Sequence, residues 1–402
     1  MVYEFMGYEK KNGTVGVRNK VIVLSVGKCS NELTARIADN VRFAEPLLNN
    51  SSCLIVKSDK ERHFRAMVGL GRNPNTGAML IVGVGCDGIQ AERLYEEIRK
   101  YNANVDVVAI GRDGDFDQTV RKGSEICFNM VQKIAADTRT PFGLDKLQLA
   151  LKCGGSDTTS PMGCNAVAGY ASDIIIDAGG TVIFSETAEV IGGEHILAER
   201  AITKEVADKF LSMVERFEKG IEETGVDIRG AQPTPGNISS GLSTLEEKTM
   251  GAIVKTGTQP LTGVLEWGEH RDGKPGLYFM DGPCATNQML LGMAATGAQI
   301  FNFNLGGGKP ACIRTVPAAV GSGCFPILPV LKTLSNPTNV NESIWSDVFA
   351  GPIITGESSI EEKGEEFLFK ILKTASGIPT RLEIYQSPYR EVWDFWTTGP
   401  TM

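Results

Sequence analysis

The chain has 402 residues, of which 22% are charged, and a formal net charge of −8. This length suffices for two domains, and the acidic balance without a long basic tract argues against nucleic acid as the main partner. No apolar run approaches the ~18 residues that a membrane helix needs, and the first residues lack the pattern of a secretory signal. Nine cysteines without a CxxC pair indicate reduced thiols. We therefore expect a cytoplasmic protein with no membrane partner.

Apolar and amphipathic segments alternate through the first third of the chain. Strands are predicted over 21–26, 53–57, 79–85 and 105–111, and helices over 32–41, 89–101 and 117–136. Strands that alternate with helices are typical of a parallel sheet covered on both faces. The predicted fold class is therefore α/β, with a doubly wound, Rossmann- or flavodoxin-like domain over 1–140.

The alternation continues in a larger C-terminal α/β domain, predicted over 141–402. Its strands are predicted over 147–152, 181–186, 276–281 and 299–304, and its helices over 164–178, 204–225, 243–257, 287–297 and 359–377. Ser243 is predicted to cap the helix over 243–257, with Glu246 completing a capping box. Residues 224–241 are rich in Gly, Pro, Asn and Ser, and an irregular connection of that length is usually functional or flexible.

Polar, glycine-containing loops follow the predicted strands in both domains. They cover 27–30, 85–88, 153–157, 185–187, 281–284 and 306–309. Each loop alone is most simply a tight turn. In open α/β sheets, however, ligands bind beyond the carboxyl ends of the strands, where glycine lets the backbone approach a ligand. Six loops that share this placement therefore predict a site.

Several cysteines occupy these strand ends. Cys29, Cys86 and Cys153 are positioned for thiolate ligation or for a nucleophilic role, whereas Cys53 and Cys127 are interpreted as small buried residues. The chain contains no Walker sequence, and the glycines at 306–308 do not form a dinucleotide-binding motif.

One histidine lies in an acidic neighbourhood. His195 is preceded by Glu186, Glu189 and Glu194, a setting that suits acid–base chemistry or metal ligation, although a lone histidine is more often structural. His63 and His270 occur in polar, charged segments and are predicted to be exposed.

Stretches spread through nearly the whole chain resemble the altronate/galactarate dehydratase family. They include KCGGSDTTS (152–160), and the others lie at 7–19, 82–94, 168–187, 194–201, 234–257, 261–269 and 276–283. The resemblance implies a carbon–oxygen lyase that removes water from a sugar acid such as altronate or galactarate by metal-assisted β-elimination. It also implies Fe²⁺ as the cofactor, with Mn²⁺ as an alternative metal.

The resemblance, together with the loop chemistry, suggests roles for individual residues. The catalytic candidates are Glu186, His195 and Asp157. The substrate-binding candidates are Gly154, Gly155, Ser156, Thr158, Lys248, Lys255 and Asn237. The metal-ligand candidates are Cys29, Cys86 and Cys153.

Members with a single chain carry a small β-rich domain ahead of the segment that matches 7–19. This chain begins at that segment, so the resemblance implies a separate small β-rich, SAF-like subunit and an oligomeric enzyme. The large subunit of (2R)-sulfolactate sulfo-lyase has this organisation, which makes carbon–sulfur cleavage with release of sulfite an alternative reaction.

Two departures from the family pattern favour a changed function. Residues 56–75 lack the Gly-Cys-Gly that ends the family's histidine-containing stretch, and glycines occupy 306–308 where the family has Gly-Arg-Gly. Lys309 or Arg314 could replace that arginine as a carboxylate clamp. A third interpretation is therefore a repurposed, non-catalytic family member.

Overall fold

The computed structural model describes residues 3–307, 325–338, 346–384 and 391–399. Its strands are β1 Glu4–Glu9, β2 Val15–Gly16, β3 Lys20–Ser25, β4 Ala44–Asn49, β5 Thr76–Gly83, β6 Val105–Ala109, β7 Thr140–Gly143, β8 Gln148–Gly154, β9 Thr181–Ser185, β10 Leu261–Leu265, β11 Gly276–Met280, β12 Ile300–Leu305, β13 Val330–Leu334, β14 Val348–Phe349 and β15 Val392–Trp393. Its helices are α1 Asn31–Asp39, α2 Lys57–Arg72, α3 Ala91–Ile98, α4 Phe116–Ile134, α5 Cys164–Asp177, α6 Glu194–Glu199, α7 Lys204–Glu222, α8 Pro235–Ile238, α9 Leu245–Ile253, α10 Thr286–Ala295, α11 Gly351–Ile354, α12 Ile360–Ala375 and α13 Arg381–Ile384.

A five-stranded parallel sheet forms the centre of the N-terminal region, in the order β15-β4-β3-β5-β6. Every residue of β5 is buried, as expected for a strand that is covered on both faces. Helices α1 and α4 pack together on one face, whereas α2 and α3 contact each other and β5. The doubly wound arrangement predicted for this region is confirmed.

A seven-stranded parallel sheet forms the centre of the C-terminal region, in the order β10-β11-β9-β8-β12-β13-β14. Helix α5 packs against α12, and together they cover one face, while the methionine- and leucine-rich α10 joins the core on the other face. The α/β class is confirmed here also. The boundary near residue 140 stays a prediction, and the short strand β15 returns from the C-terminal end to pair with β4.

Two parts of the N-terminal region differ from the sequence-based prediction. Residues 53–57 do not form a strand of the parallel sheet. The strand that follows β3 is β4, Ala44–Asn49, and helix α2 already begins at Lys57. Pro46 obscured this strand, since proline is confined to positions where its missing N–H is not needed for pairing. Strands β1 and β2, in a stretch for which no element is predicted above, form an antiparallel sheet with β7 in the order β2-β1-β7.

Three side-chain predictions were wrong. The cap of α9 is Thr244, whose hydroxyl accepts from the Glu247 N–H at 3.1 Å, one residue later than predicted. Cys53 is exposed, although Cys127 is buried as expected.

The third wrong prediction concerns the exposure of His63 and His270. His63 is fully buried on the inner face of α2, where its ring contacts the Ser51 hydroxyl at 3.1 Å and the Trp396 carbonyl at 3.2 Å. His270 is also largely enclosed, with 15% of its side chain exposed. Burial lowers the pKa of both histidines to about 4, so both rings are neutral at pH 7.

Within the described ranges, no helix is long and apolar enough to cross a membrane.

Candidate functional site

The carboxyl edge of the seven-stranded sheet gathers buried polar side chains. Because the strands are parallel, the residues that follow β8, β9, β11 and β12 meet at one edge. Lys152 lies near the end of β8, Glu186 directly follows β9, and Asp281 directly follows β11. All three are at least nine-tenths buried. Buried charged groups are stable only when they are paired, so their partners define the site.

Lys152 forms the first buried ion pair. Its ammonium Nζ lies 2.7 Å from Oε2 of Glu186 and donates to the Cys153 carbonyl at 2.8 Å. It also lies 5.6 Å from the centre of the Phe303 ring. Burial acts to lower the pKa of Lys152, but Glu186, Cys284 and Glu189 together outweigh that effect, and the pKa lies above its usual value. Lys152 is therefore a cation at neutral pH.

Lys255 and Glu189 form the second buried ion pair. Their Nζ and Oε2 atoms are 2.7 Å apart, and the side chains are only 1% and 2% exposed. Burial would raise the pKa of Glu189, but Lys255 and then Lys152 lower it below the usual value. We call Lys152, Glu186, Glu189 and Lys255 the buried charge cluster. The pKa of each lysine responds to both glutamates, so the two pairs interact as a unit.

The backbone at Glu186 is unusual. Its φ of 90° lies in the left-handed region, which costs a residue with a Cβ roughly 1–3 kcal/mol and is found mainly at functional sites. The following turn holds this conformation in place. The Thr187 N–H donates to the Gly282 carbonyl at 3.0 Å, and the Thr187 hydroxyl donates to Asp281 at 2.5 Å.

Asp281 is in turn held by an arginine. Arg216 donates to the Asp281 carboxylate at 2.8 Å and to both oxygens of Glu266 at 2.8 and 2.9 Å. This chain of contacts runs from the exposed side of α7 through β11 to the turn that carries Glu186. Asp281, Thr187 and Arg216 thus position the cluster from outside it.

Cys284 connects the cluster to solvent. It is exposed, whereas Glu186 is 6% exposed. The loop that carries Cys284 contacts the turn of Glu186, because the Thr187 N–H donates to the Gly282 carbonyl, and the Glu186 carboxylate, followed by burial, raises the pKa of the Cys284 thiol. The loop that follows β11 is therefore where a small molecule could approach Glu186.

The loop after β8 is braced by its own residues. One oxygen of Asp157 accepts from the Thr159 N–H and hydroxyl at 2.9 and 2.7 Å and from the Ser160 N–H at 3.2 Å. The other accepts from the Asn336 amide at 2.8 Å. Asp157 is 1% exposed. These bonds fit a bracing role, and the predicted role of Asp157 in proton transfer stays a prediction.

Glycines bring two loops together at this edge. The Gly307 N–H donates to the Gly155 carbonyl at 3.0 Å, and Gly155 has a φ of 53° that favours glycine. A Cβ on Gly154 would lie 2.3 Å from the Phe303 ring, and one on Gly306 would lie 2.6 Å from Asp157. These glycines therefore allow close packing of loops, and their predicted contacts with substrate stay predictions.

The irregular segment 224–241 folds over the same loop. The Asn237 amide donates to the Ser156 carbonyl at 3.0 Å, and a Cβ on Gly241 would lie 2.8 Å from the Thr158 side chain. Lys248 donates to Gln232 at 2.6 Å, and its charge acts on both Glu189 and Cys284. The structure thus brings Asn237 to the loop that carries Ser156 and Thr158, and Lys248 lies within electrostatic reach of the buried charge cluster.

Among the remaining candidates that the structure describes, Cys153 adjoins the buried charge cluster, since its carbonyl accepts from Lys152, whereas His195, Cys29 and Cys86 are exposed and lie apart from it. His195 is exposed as the second residue of the short helix α6. Cys29 and Cys86 are exposed at the other sheet, and Cys153 is buried and bonded to the Asn165 amide oxygen at 3.3 Å. Burial raises the pKa of the Cys153 thiol above its usual value. Lys309 and Arg314 lie outside the described residues.

The described residues do not fit a ready-made metal site. Among them, no group of three or more His, Cys, Asp or Glu side chains is arranged to hold a metal ion. The two buried glutamates already bond to lysines. The predicted set of Cys29, Cys86 and Cys153 is therefore not gathered into one coordination sphere in this part of the chain.

Sequence reasoning missed Lys152 and did not select Glu189. A detectable signal was present, because Lys152 ends the apolar run LQLALK. A central parallel strand is buried on both faces, so a lysine within it needs a buried carboxylate partner. Which glutamate would serve was not readable from the sequence.

Comparison with known proteins gives matches over most of the chain. The family described as "D-galactarate/Altronate dehydratase, C-terminal" matches residues 144–398, and "D-galactarate dehydratase/Altronate hydrolase, second domain" matches residues 7–135. The chain is 35% identical to the (2R)-sulfolactate sulfo-lyase subunit beta of Chromohalobacter salexigens, over 94% of each chain. It is 28% identical to altronate dehydratase of Bacillus subtilis, over 93% of this chain and 74% of the relative.

A third relative is galactarate dehydratase (L-threo-forming) of Escherichia coli. The identity is 31%, over 78% of this chain and 59% of the relative. Two family matches that together cover both sheets, in agreement with the sequence resemblance, leave one conclusion. The chain belongs to the D-galactarate/altronate dehydratase family of lyases.

Proposed function

We propose that this protein is a lyase that carries out β-elimination on a 2-hydroxy carboxylate at the buried charge cluster. The observation that carries the proposal is the cluster itself, with two lysine cations and two glutamates enclosed beside the exposed Cys284. Two cations in a poorly solvated site suit an anionic substrate and the extra negative charge that forms when its α-proton is removed.

Substrate binding is expected to rearrange the first ion pair. A substrate carboxylate competes with Glu186 for the Lys152 ammonium, and sharing that cation frees a lone pair on the Glu186 carboxylate. Lys152 already has one donor directed at the Cys153 carbonyl, so its orientation does not depend on Glu186 alone. Binding thus prepares the base at the moment that the substrate arrives.

The elimination then follows in balanced steps. Glu186 takes the proton from the carbon beside the substrate carboxylate, and the electron pair enters the carboxylate to form an enediolate. Lys152 and Lys255 stabilise its second negative charge. The enediolate expels the β-substituent: a hydroxyl takes up a proton from a protonated lysine and leaves as water, whereas sulfite leaves without a proton. The resulting enol becomes the 2-keto acid, and the proton on Glu186 returns to the lysine or to solvent.

Two leaving groups are in competition. Dehydration of a sugar acid is supported by the names of the altronate and galactarate relatives. Release of sulfite from sulfolactate is supported by the sulfo-lyase relative, which matches this chain over 94% of both lengths. The word "subunit" in that relative's name supports a small partner subunit for this chain, which we propose as part of the active enzyme.

Iron, or manganese in its place, is proposed from the family resemblance alone. The described residues offer no assembled ligand set, so no step above is routed through a metal. Dialysis against a chelator, followed by elemental analysis and assay, tests this proposal. A preparation without bound iron or manganese that turns over at an unchanged rate would refute it.

A substrate panel tests the function. The chain is incubated alone and with its small partner subunit, with altronate, galactarate and sulfolactate, each with and without Fe²⁺. Formation of a 2-keto acid without sulfite supports dehydration, whereas formation of a 2-keto acid together with release of sulfite supports the sulfo-lyase reaction. Binding of these acids without turnover in every combination would contradict the lyase proposal and favour a repurposed binding protein.

A further inference from the structure

A third buried lysine lies on the same sheet and has no role in the proposed mechanism. Lys332 is the central residue of β13 and is 2% exposed. Its ammonium has no hydrogen-bond partner among the described residues. The Asp347 carboxylate accepts from the backbone N–H of Lys332 at 3.1 Å, whereas its ion pair, at 3.2 Å, is with Lys370. An unpaired buried ammonium is unfavourable, so its presence requires an explanation.

The register of the sheet relates Lys332 to the buried charge cluster. Phe303 of β12 is paired with Lys152 on one side and with Lys332 on the other. Residues in register on parallel strands share a face. Val330 and Leu334, which alternate with Lys332 along β13, pack in the same core as Phe303. Lys152, Phe303 and Lys332 therefore form one row across three adjacent strands.

The row places two buried lysines, one paired with a glutamate and one without a described hydrogen-bond partner, on its two outer strands. The outer strands of the row are two inter-strand spacings, or about 10 Å, apart, with Phe303 on the strand between them. Lys152 is neutralised by Glu186 at 2.7 Å, whereas Lys332 is not neutralised by any described side chain in hydrogen-bond contact. Burial, opposed by the Asp347 charge, lowers the pKa of Lys332 to about 8, so the amine is mostly protonated at pH 7.

We propose that Lys332 is a second cationic subsite that binds the remote anionic group of a dianionic 2-hydroxy acid, while the buried charge cluster binds the reacting carboxylate. This inference rests on the proposed function, because it names the substrate class of the same site. Phe303, between the lysines, provides an apolar surface for the carbon chain of the substrate. The subsite favours acids with two negative groups, such as an aldarate or a sulfonated hydroxy acid, over an aldonate with one.

Replacement of Lys332 by methionine tests the subsite with little change in volume. In Lys332→Met, we expect kcat/KM for galactarate and sulfolactate to fall at least ~10-fold relative to altronate, the loss typical of a hydrogen bond to a charged group. Lys370→Met is the matched control, since Lys370 also neighbours Asp347 but lies on α12, and it should leave the ratio unchanged. An unchanged ratio in Lys332→Met would overturn the inference.

A binding measurement separates this inference from the proposed function. Adipate and hexanoate are unreactive acids with two and one carboxylates, and a ligand that binds only the folded state raises Tm. Adipate should raise the Tm of the wild-type protein more than hexanoate does, and that difference should vanish in Lys332→Met. Equal shifts in the wild type overturn the subsite even if the variant does not fold, whereas absence of turnover on every acid contradicts only the lyase reaction.

Discussion

The two parallel sheets of this protein carry similar polar loops at their carboxyl edges but bury very different groups there. The edge of the five-stranded sheet presents Cys29, Cys53 and Cys86, all exposed. The edge of the seven-stranded sheet encloses two ion pairs that are at most 8% exposed. Burial strengthens electrostatic interactions and makes an unpaired charge costly. Strand-end loops therefore mark where a site can form, whereas enclosed ion pairs mark where charge-dependent chemistry is supported.

The largest expected effect is at Glu186. Glu186→Gln keeps the shape of the side chain but removes the proposed base, so kcat should fall by ~10²–10⁴. Glu194→Gln is the control, because Glu194 lies on helix α6 and pairs with the partly exposed Arg229. Initial rates on the best substrate of the panel provide the measurement. Comparable rates for both variants would remove Glu186 from the mechanism.

The second buried pair should dominate stability. Lys255→Met leaves Glu189 buried without its cation, a type of change that costs about 3–5 kcal/mol of unfolding free energy. The exposed pair of Lys204 and Asp208 has a similar N–O distance of 2.6 Å, yet Lys204→Met should cause no measurable loss of unfolding free energy. Urea unfolding of both variants decides the matter. Equal losses would mean that burial does not distinguish the two pairs.

The buried histidine of the N-terminal region predicts a dependence of stability on pH. His63 has a pKa of about 4 in the folded chain, against about 6.5 when unfolded. The unfolded state therefore takes up a proton at a higher pH than the folded state does. The contribution of the neutral His63 ring to the free energy of unfolding is complete above pH 6.5, and about 3 kcal/mol of it is lost as the pH falls to 4. Unfolding of the wild type and of His63→Gln across this range measures it. Identical slopes for the two proteins would contradict the assignment.

A smaller effect is expected from the turn that holds Glu186. Thr187→Val removes the hydroxyl that donates to Asp281 and should lower kcat by about 10-fold, the equivalent of one hydrogen bond. KM should change less, since Thr187 positions the base and does not touch the substrate. Thr187→Ser restores the hydroxyl and should restore kcat. A loss that serine does not rescue would reflect packing instead.

The smallest effect is expected at the first sheet. The double variant Cys29→Ser, Cys86→Ser changes only exposed side chains, which usually alters stability by less than about 0.5 kcal/mol, and kcat should remain within a factor of two or so. Assay and elemental analysis of the same preparation check this. Loss of turnover together with loss of bound metal would restore the predicted thiolate ligands and reverse the comparison between the two edges.

Much of the fold could be read from the sequence because its strands are continuous apolar runs. Runs such as MLIVGVG and VDVVAIG correspond to β5 and β6, and the pattern of Ser359 with Glu362 starts α12 through a capping box. Strand β4 was missed because its pattern is short and contains Pro46. The helix α2 was missed because its His63 face and its charged face gave a weak apolar pattern.

The candidate site was predictable by location and less so by residue. The loops over 153–157, 185–187 and 281–284 do meet at one edge, as their position after parallel strands required. His195 was selected because of acidic neighbours in the sequence, yet the fold exposes it. Lys152 was passed over because a lysine at a strand end is usually solvated, and only its 2.7 Å contact with Glu186 reveals its importance.

The α/β alternation, the family and the edge at which polar groups collect could be read from the sequence, because they depend on local patterns and on contiguous motifs. The folded structure was needed to show which charges are enclosed, which lysine meets which glutamate, and that Lys332 has no hydrogen-bond partner among the described residues. The physical reason is that pairing and desolvation depend on side chains brought together from distant segments. Lys255 and Glu189 are separated by 66 positions along the chain, and no local pattern specifies their contact.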